Sequence, residues 1–133
     1  MFRRIVAPAA ALAALVFLSP APSGAQSRLL RQPTLSATHV AFTYGSDLWI
    51  ADRAGGLARR LTSTPAVESD PHFSPDGRWI AFTSNRSGVP QVYVVGTEGG
   101  EPRRLTWYPT PSEARGWTPD GARVLYATSR RLT

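Results

Sequence analysis

The amino-acid sequence predicts an all-β chain: a partial β-propeller of about two and a half four-stranded antiparallel blades, preceded by a signal peptide. Three observations carry this expectation. "FSPDGRWIAFTSNRSG" at 73–88 is answered 44 positions later by "WTPDGARVLYATSR" at 117–130. "RRLT" closes one unit at 59–62 and the next at 103–106. Beyond the N-terminal stretch no window carries a 3.6-residue apolar period, so helices should be few. A unit of roughly 40 to 45 residues with four strands is the signature of a propeller blade. One such sheet cannot shield both its faces and needs a neighbour on each side.

The first 25 residues read as a segment apart. "MFRR" gives a positive start, and residues 5–18 form an uncharged apolar run of 14 residues. Small residues at Ser23 and Ala25 follow, so the layout is that of a secretory signal cut after Ala25. The run falls short of the roughly 20 residues that span a bilayer, although left uncut it would serve as an N-terminal anchor. Removal leaves residues 26–133 as the folding unit, in an exported, periplasmic or extracellular setting. Zero cysteines exclude a disulfide framework and a thiolate metal site.

Within residues 26–133 the repeat sets the blades: the first at about 29–68, the second at about 69–112, and the start of a third at about 113–133. The copies align Phe42 with Phe82 and Tyr126. They differ in length where "SNRSGVPQ" replaces "YGSD", and a change confined to a hairpin loop leaves its flanking strands in register. In the second unit "DPHFS" is the first strand, with Phe73 inward. Pro75 then presets φ, Asp76 tolerates the bend, and Gly77 supplies the positive φ that closes the corner. "RWIAFTS" is nearly uninterrupted in its apolar run, as in a strand covered on both faces. "QVYVVG" is β-branched and aromatic throughout. "EGGEP" is expected to turn the chain into "PRRLTW", with Leu105 inward. Two blades and a hairpin cannot close a ring of about 4 to 8 blades, so the sequence reads as the opening part of something longer.

With those residues in hand a resemblance appears. "FSPDGRWIAFTSNRSG" and "VYVVGTEGGEPRRLT" resemble the repeat shared by TolB and tricorn proteases. "LLRQPTLSATHVAFTYGSDLWIADRAGGLARRLTS" resembles the start of the first propeller of tricorn-type serine peptidases. The likeness covers roughly residues 29–130. It implies a six-bladed ring whose channel filters or guides peptides, with the remaining blades and the protease core elsewhere in the parent chain. It also implies partners that are peptides or proteins. TolB-type chains place an α/β domain before their blades, for which a first blade at about Leu29 leaves no room. A prolyl-oligopeptidase-like parent, with its hydrolase downstream, is a further alternative.

The residues offer no catalytic site, no cofactor site and no metal site. His39 and His72 are the only histidines, each expected at the start of a strand, and a metal needs further converging ligands. Ser74, Ser84 and Ser87 lack a GxSxG elbow. Asp76 and Asp120 repeat at one turn position, which marks backbone geometry rather than an acid–base pair. Asp47 and Asp70 are expected before strands, where they could cap turns or bind ions, and nothing in the sequence selects ions. Trp49, Trp79, Trp107 and Trp117 are read as packing between blades. Every basic residue is arginine, and the formal charge of +6 becomes +4 without Arg3 and Arg4. The pairs Arg59-Arg60, Arg103-Arg104 and Arg130-Arg131 recur with the repeat instead of merging into one stripe, so nucleic acid is not expected as a partner.

Overall fold

The computed structural model describes residues 30–129; the expected signal peptide at 1–25 lies outside them. The described residues form ten strands and no helix. β1 (Arg31–Leu35), β2 (His39–Tyr44), β3 (Asp47–Asp52) and β4 (Arg59–Arg60) make one antiparallel sheet in chain order. β5 (Glu68–Phe73), β6 (Trp79–Ser84), β7 (Gln91–Gly96) and β8 (Gly99–Arg104) make a second, and β9 (Ser112–Trp117) pairs with β10 (Val124–Thr128) in a third. The all-β, partial-propeller expectation is therefore met. Each first strand packs against the sheet before it, which stacks the three sheets face to face.

Stacking explains where the core sits. Phe42, Phe82 and Tyr126 hold the same place in successive sheets. Phe82, in the middle one, is wholly buried; Phe42 is half-buried and Tyr126 is 41% exposed. Five consecutive residues of β6 and five of β7 are buried, whereas four of the five in β10 are exposed. The second sheet alone has a blade on both faces. At about 1.5–3 kcal/mol for fully burying a large apolar side chain, that difference outweighs any local propensity. The central cluster joins Ala41, Leu48 and Ile50 of the first sheet to Ile80, Phe82, Tyr93 and Val95 of the second, with Leu61 and Phe73 packed on it.

The corners are one device used twice. Ser74 Oγ donates to Asp76 Oδ1 at 2.6 Å and accepts from Trp79 N at 3.0 Å, while Asp76 Oδ1 accepts from Arg78 N. Thr118, Asp120, Ala122 and Arg123 repeat those bonds. Gly77 and Gly121 close the corners at φ +70° and +69°. In the first sheet Ser36 does the work alone, accepting from His39 N at 2.9 Å.

The "RRLT" repeat is equally physical. Thr62 Oγ1 accepts from Leu48 N at 2.9 Å and Thr106 Oγ1 from Val92 N at 3.0 Å, so each threonine satisfies a buried amide on the neighbouring strand. Arg60 and Arg104 each donate Nε to the carbonyl of the threonine two residues on. Arg59 reaches the next blade, donating to Thr97 O at 2.6 Å and Glu98 O at 3.4 Å.

One boundary differs from expectation. "EGGEP" is mostly strand: Gly96 pairs with Gly99, so the tight turn is Thr97-Glu98 and β8 starts at Gly99. Gly99 and Gly100, at φ +104° and +105°, bend the strand instead of turning the chain. β8 accordingly ends at Arg104, although Leu105 N still bonds Val92 O at 2.8 Å.

Candidate functional site

The first strand of each sheet lies at its edge against the first strand of the next, and side chains there link blade to blade. β1 and β5 both carry a bulge, and at each a non-glycine residue before proline takes positive φ: Gln32 at +51° before Pro33, Asp70 at +51° before Pro71. A residue before proline is normally extended, and positive φ costs a non-glycine residue on the order of 1–3 kcal/mol. Hydrogen bonds offset that cost. Gln32 Nε2 donates to Asp70 Oδ1 at 3.1 Å, and Asp70 N donates to Gln32 Oε1 at 3.0 Å. On β9, Arg115 approaches Asp70 Oδ1 at 3.9 Å and pairs with Glu113. Amide, carboxylate and guanidinium thus form a polar ladder across three blades. Asp70 lies inside β5 rather than ahead of it, contrary to the expected cap.

A second polar cluster closes the end of the same interface. Glu68, the first residue of β5, has a fully buried side chain. Its Oε1 accepts from Arg86 Nη2 at 2.8 Å, Ser84 Oγ at 3.2 Å and Thr64 Oγ1 at 3.3 Å, while Oε2 has no protein partner. Burial pushes the Glu68 carboxyl above its ordinary value, and the Arg86 hydrogen bond only partly opposes this. The Arg86 guanidinium sits 5.6 Å from the Phe82 ring centre and 4.9 Å from that of Tyr93, so its charge is also held by ring faces. Beside this cluster a cleft of about 640 Å³ opens, lined by residues including Arg31, Gln32, Tyr44 and Ser69. The wall of this cleft is rich in groups able to form hydrogen bonds.

The remaining residues singled out in the sequence have structural places. His39 opens β2, with Nδ1 2.8 Å from Thr38 Oγ1 and Nε2 3.4 Å from Asp52. His72 lies near the end of β5, not at its start, and its carbonyl accepts Trp117 Nε1 at 2.9 Å. Among the described residues no group of three or more His, Cys, Asp or Glu could hold a metal ion. Asp47 opens β3, buried, and binds Arg60 at 2.5 Å. Ser74 belongs to a corner and Ser84 to the Glu68 cluster. Trp117 packs between blades as expected. Trp49 instead meets Tyr44 within its own sheet, and Trp107 is 68% exposed. The ladder was missed, although the paired "QP" and "DP" at positions 32–33 and 70–71 signal it: proline inside a strand marks a bulge.

A family model described as the tricorn protease N-terminal beta propeller domain matches residues 27–133. The chain belongs to this tricorn propeller family. Among its relatives, a tricorn protease homolog of Streptomyces coelicolor is 48% identical over 67 residues, which is 50% of this chain and 6% of that protein. The Tol-Pal system protein TolB of Bordetella pertussis is 46% identical over 54 residues, 40% of this chain and 12% of TolB. The chain thus spans 12% or less of the length of these curated relatives. The solved tricorn protease superposes with a TM-score of 0.62 at 29% identity, over 70% of this chain and 10% of its own. TolB from Acinetobacter baumannii gives 0.66 at 25% identity, over 76% and 27%. Both therefore share the fold of this chain over the covered residues. No helix among the described residues is long and apolar enough to cross a membrane.

Proposed function

We propose that this chain is the non-catalytic, substrate-binding and gating propeller region of an exported tricorn-like serine peptidase, with proteolysis performed by other parts of the parent. Residues 1–25 act as the export signal and residues 26–133 as the propeller region. The family match over residues 27–133 carries the reading. The first-strand ladder of Gln32, Asp70 and Arg115 supports it, because a polar wall binds peptide amides without holding apolar side chains fast. The TolB likeness favours a second reading, a propeller that docks other proteins.

The test compares this chain with the full product of its gene on unstructured peptides. Cleavage is expected only from the full product, and Asp70→Lys should lower the rate for long peptides more than for short ones. A full product that cleaves no peptide but retains a protein partner decides for the TolB-like reading. For export, residues 1–30 fused to a leaderless alkaline phosphatase should give periplasmic activity with the new N-terminus at Gln26; retention in the cytosol contradicts it.

A further inference from the structure

The two inter-blade interfaces differ in how the later sheet is tied to the one before it. In the second, Ala114 N on β9 donates directly to Thr83 Oγ1 on β6 at 2.9 Å. In the first, the equivalent amide, 44 residues earlier, is that of Asp70, and the equivalent threonine, 40 residues earlier, is Thr43. Here Asp70 N donates instead to Gln32 Oε1 at 3.0 Å, and the Thr43 hydroxyl turns back to Arg31 O at 3.1 Å. An amide side chain thus stands between strands that are tied directly one blade later, and the cleft of about 640 Å³ opens at this point. A short hairpin adds room: Gly45-Ser46 alone join β2 to β3, whereas six residues, 85–90, join β6 to β7.

The wall of the cleft carries two charged residues, Arg31 and Glu68, and they are unequal. The Glu68 side chain is fully buried and is held by Arg86 at 2.8 Å. Arg31 is exposed, and its guanidinium has no hydrogen-bond or ion-pair partner among the described residues. The free charge facing the cleft is therefore positive. Beside it Tyr44, 43% exposed, offers a ring that Trp49 braces edge-on, with centroids 6.0 Å apart and planes at 78°. Gln32 spends one N–H and one lone pair on Asp70, which leaves a second donor and a second acceptor on its amide.

We propose that this cleft binds an acidic sugar, a pyranose that bears a carboxylate. The Arg31 guanidinium takes the carboxylate through two parallel N–H···O bonds, for which its planar fork is suited. The C–H face of the sugar ring lies on Tyr44, against the electron-rich face of the aromatic ring. Sugar hydroxyls meet the uncommitted positions of the Gln32 amide and the exposed Ser46 hydroxyl. A neutral sugar leaves Arg31 unmatched, and a simple carboxylate leaves the ring and the amide unused. The volume falls inside the roughly 300–1,000 Å³ of small-molecule sites. The inference rests on this cleft and stands apart from the peptidase reading.

The test adds glucuronate, glucose, acetate or inorganic phosphate to the full 133-residue chain, followed by calorimetry and tryptophan fluorescence. Glucuronate should bind saturably, one to one, with a fluorescence change that is lost in Trp49→Phe; the other three should bind about tenfold more weakly or less. Arg31→Ala should weaken glucuronate binding about tenfold or more, which is about 1.4 kcal/mol, with an unchanged unfolding midpoint because Arg31 is exposed. Arg31→Lys should fall between. Tyr44→Phe should bind as the parent does and Tyr44→Ala should lose most of the affinity. Arg103→Ala, on exposed backbone of β8, should leave binding unchanged. Tighter binding of digalacturonate than of the single sugar assigns the ligand to an acidic polysaccharide, and weaker binding to a free sugar acid. No saturation, glucose or acetate binding as well as glucuronate, or an Arg31→Ala affinity equal to the parent's would overturn the proposal.

Discussion

Gly77 shows how much a single residue can carry. Its φ of +70° lies where β-branched residues are strained, and a Cβ there would stand 3.2 Å from Ser36 Cβ on the preceding blade. Gly77→Val therefore burdens both the corner and the inter-blade contact, and should cost about 1 kcal/mol or more, read as a lower denaturation midpoint. Glu68 acts through protonation. Its folded pKa is raised above the value of 4.5, so its contribution to stability is complete below that value and is lost as pH rises through the folded pKa. Glu68→Gln keeps an acceptor at Oε1 and should flatten the decline in stability as pH rises above that value; an unchanged pH profile would contradict this. Asp76 and Asp120 run the other way. The Ser74 and Thr118 hydroxyls, followed by a backbone N–H, hold them below the usual carboxylate range, so their contribution is lost only as pH falls below about 4.

At the scale of the element, "RRLT" is a clasp between adjacent strands. Thr106 is buried, and its hydroxyl satisfies the Val92 amide. Thr106→Val preserves shape and removes the acceptor, and leaving a buried N–H unmet costs about 1–3 kcal/mol; Thr106→Ser should recover most of it in the same unfolding measurement. Elements were legible wherever a residue type has one use. Pro75-Asp76-Gly77 fixed its corner, and the apolar runs of β6 and β7 announced strands covered on both faces. The turn before β8 was misplaced because adjacent glycines serve a bulge as readily as a turn, and only the Gly96–Gly99 pairing separates the two. The Gln32–Asp70 ladder was illegible for a related reason: it joins residues 38 positions apart through backbone that neither residue prefers. Trp79 and Trp107 were read as packed because an aromatic on a strand usually is; burial depends on whether another sheet lies opposite.

For the whole molecule the claim is that stacking, rather than any one sheet, supplies stability. Sequence made the repeat visible, and the repeat implied neighbours, but only the structure shows how unequally the three sheets are covered. The free energy of local opening rises with buried apolar contact, so it should follow the order of coverage. Residue-resolved native-state hydrogen exchange tests this most directly. Amides of β6 and β7 should be the most protected, those of β2 and β3 intermediate, and those of β9 and β10 the least. Equal protection across the three sheets, or greatest protection in β9–β10, would contradict it.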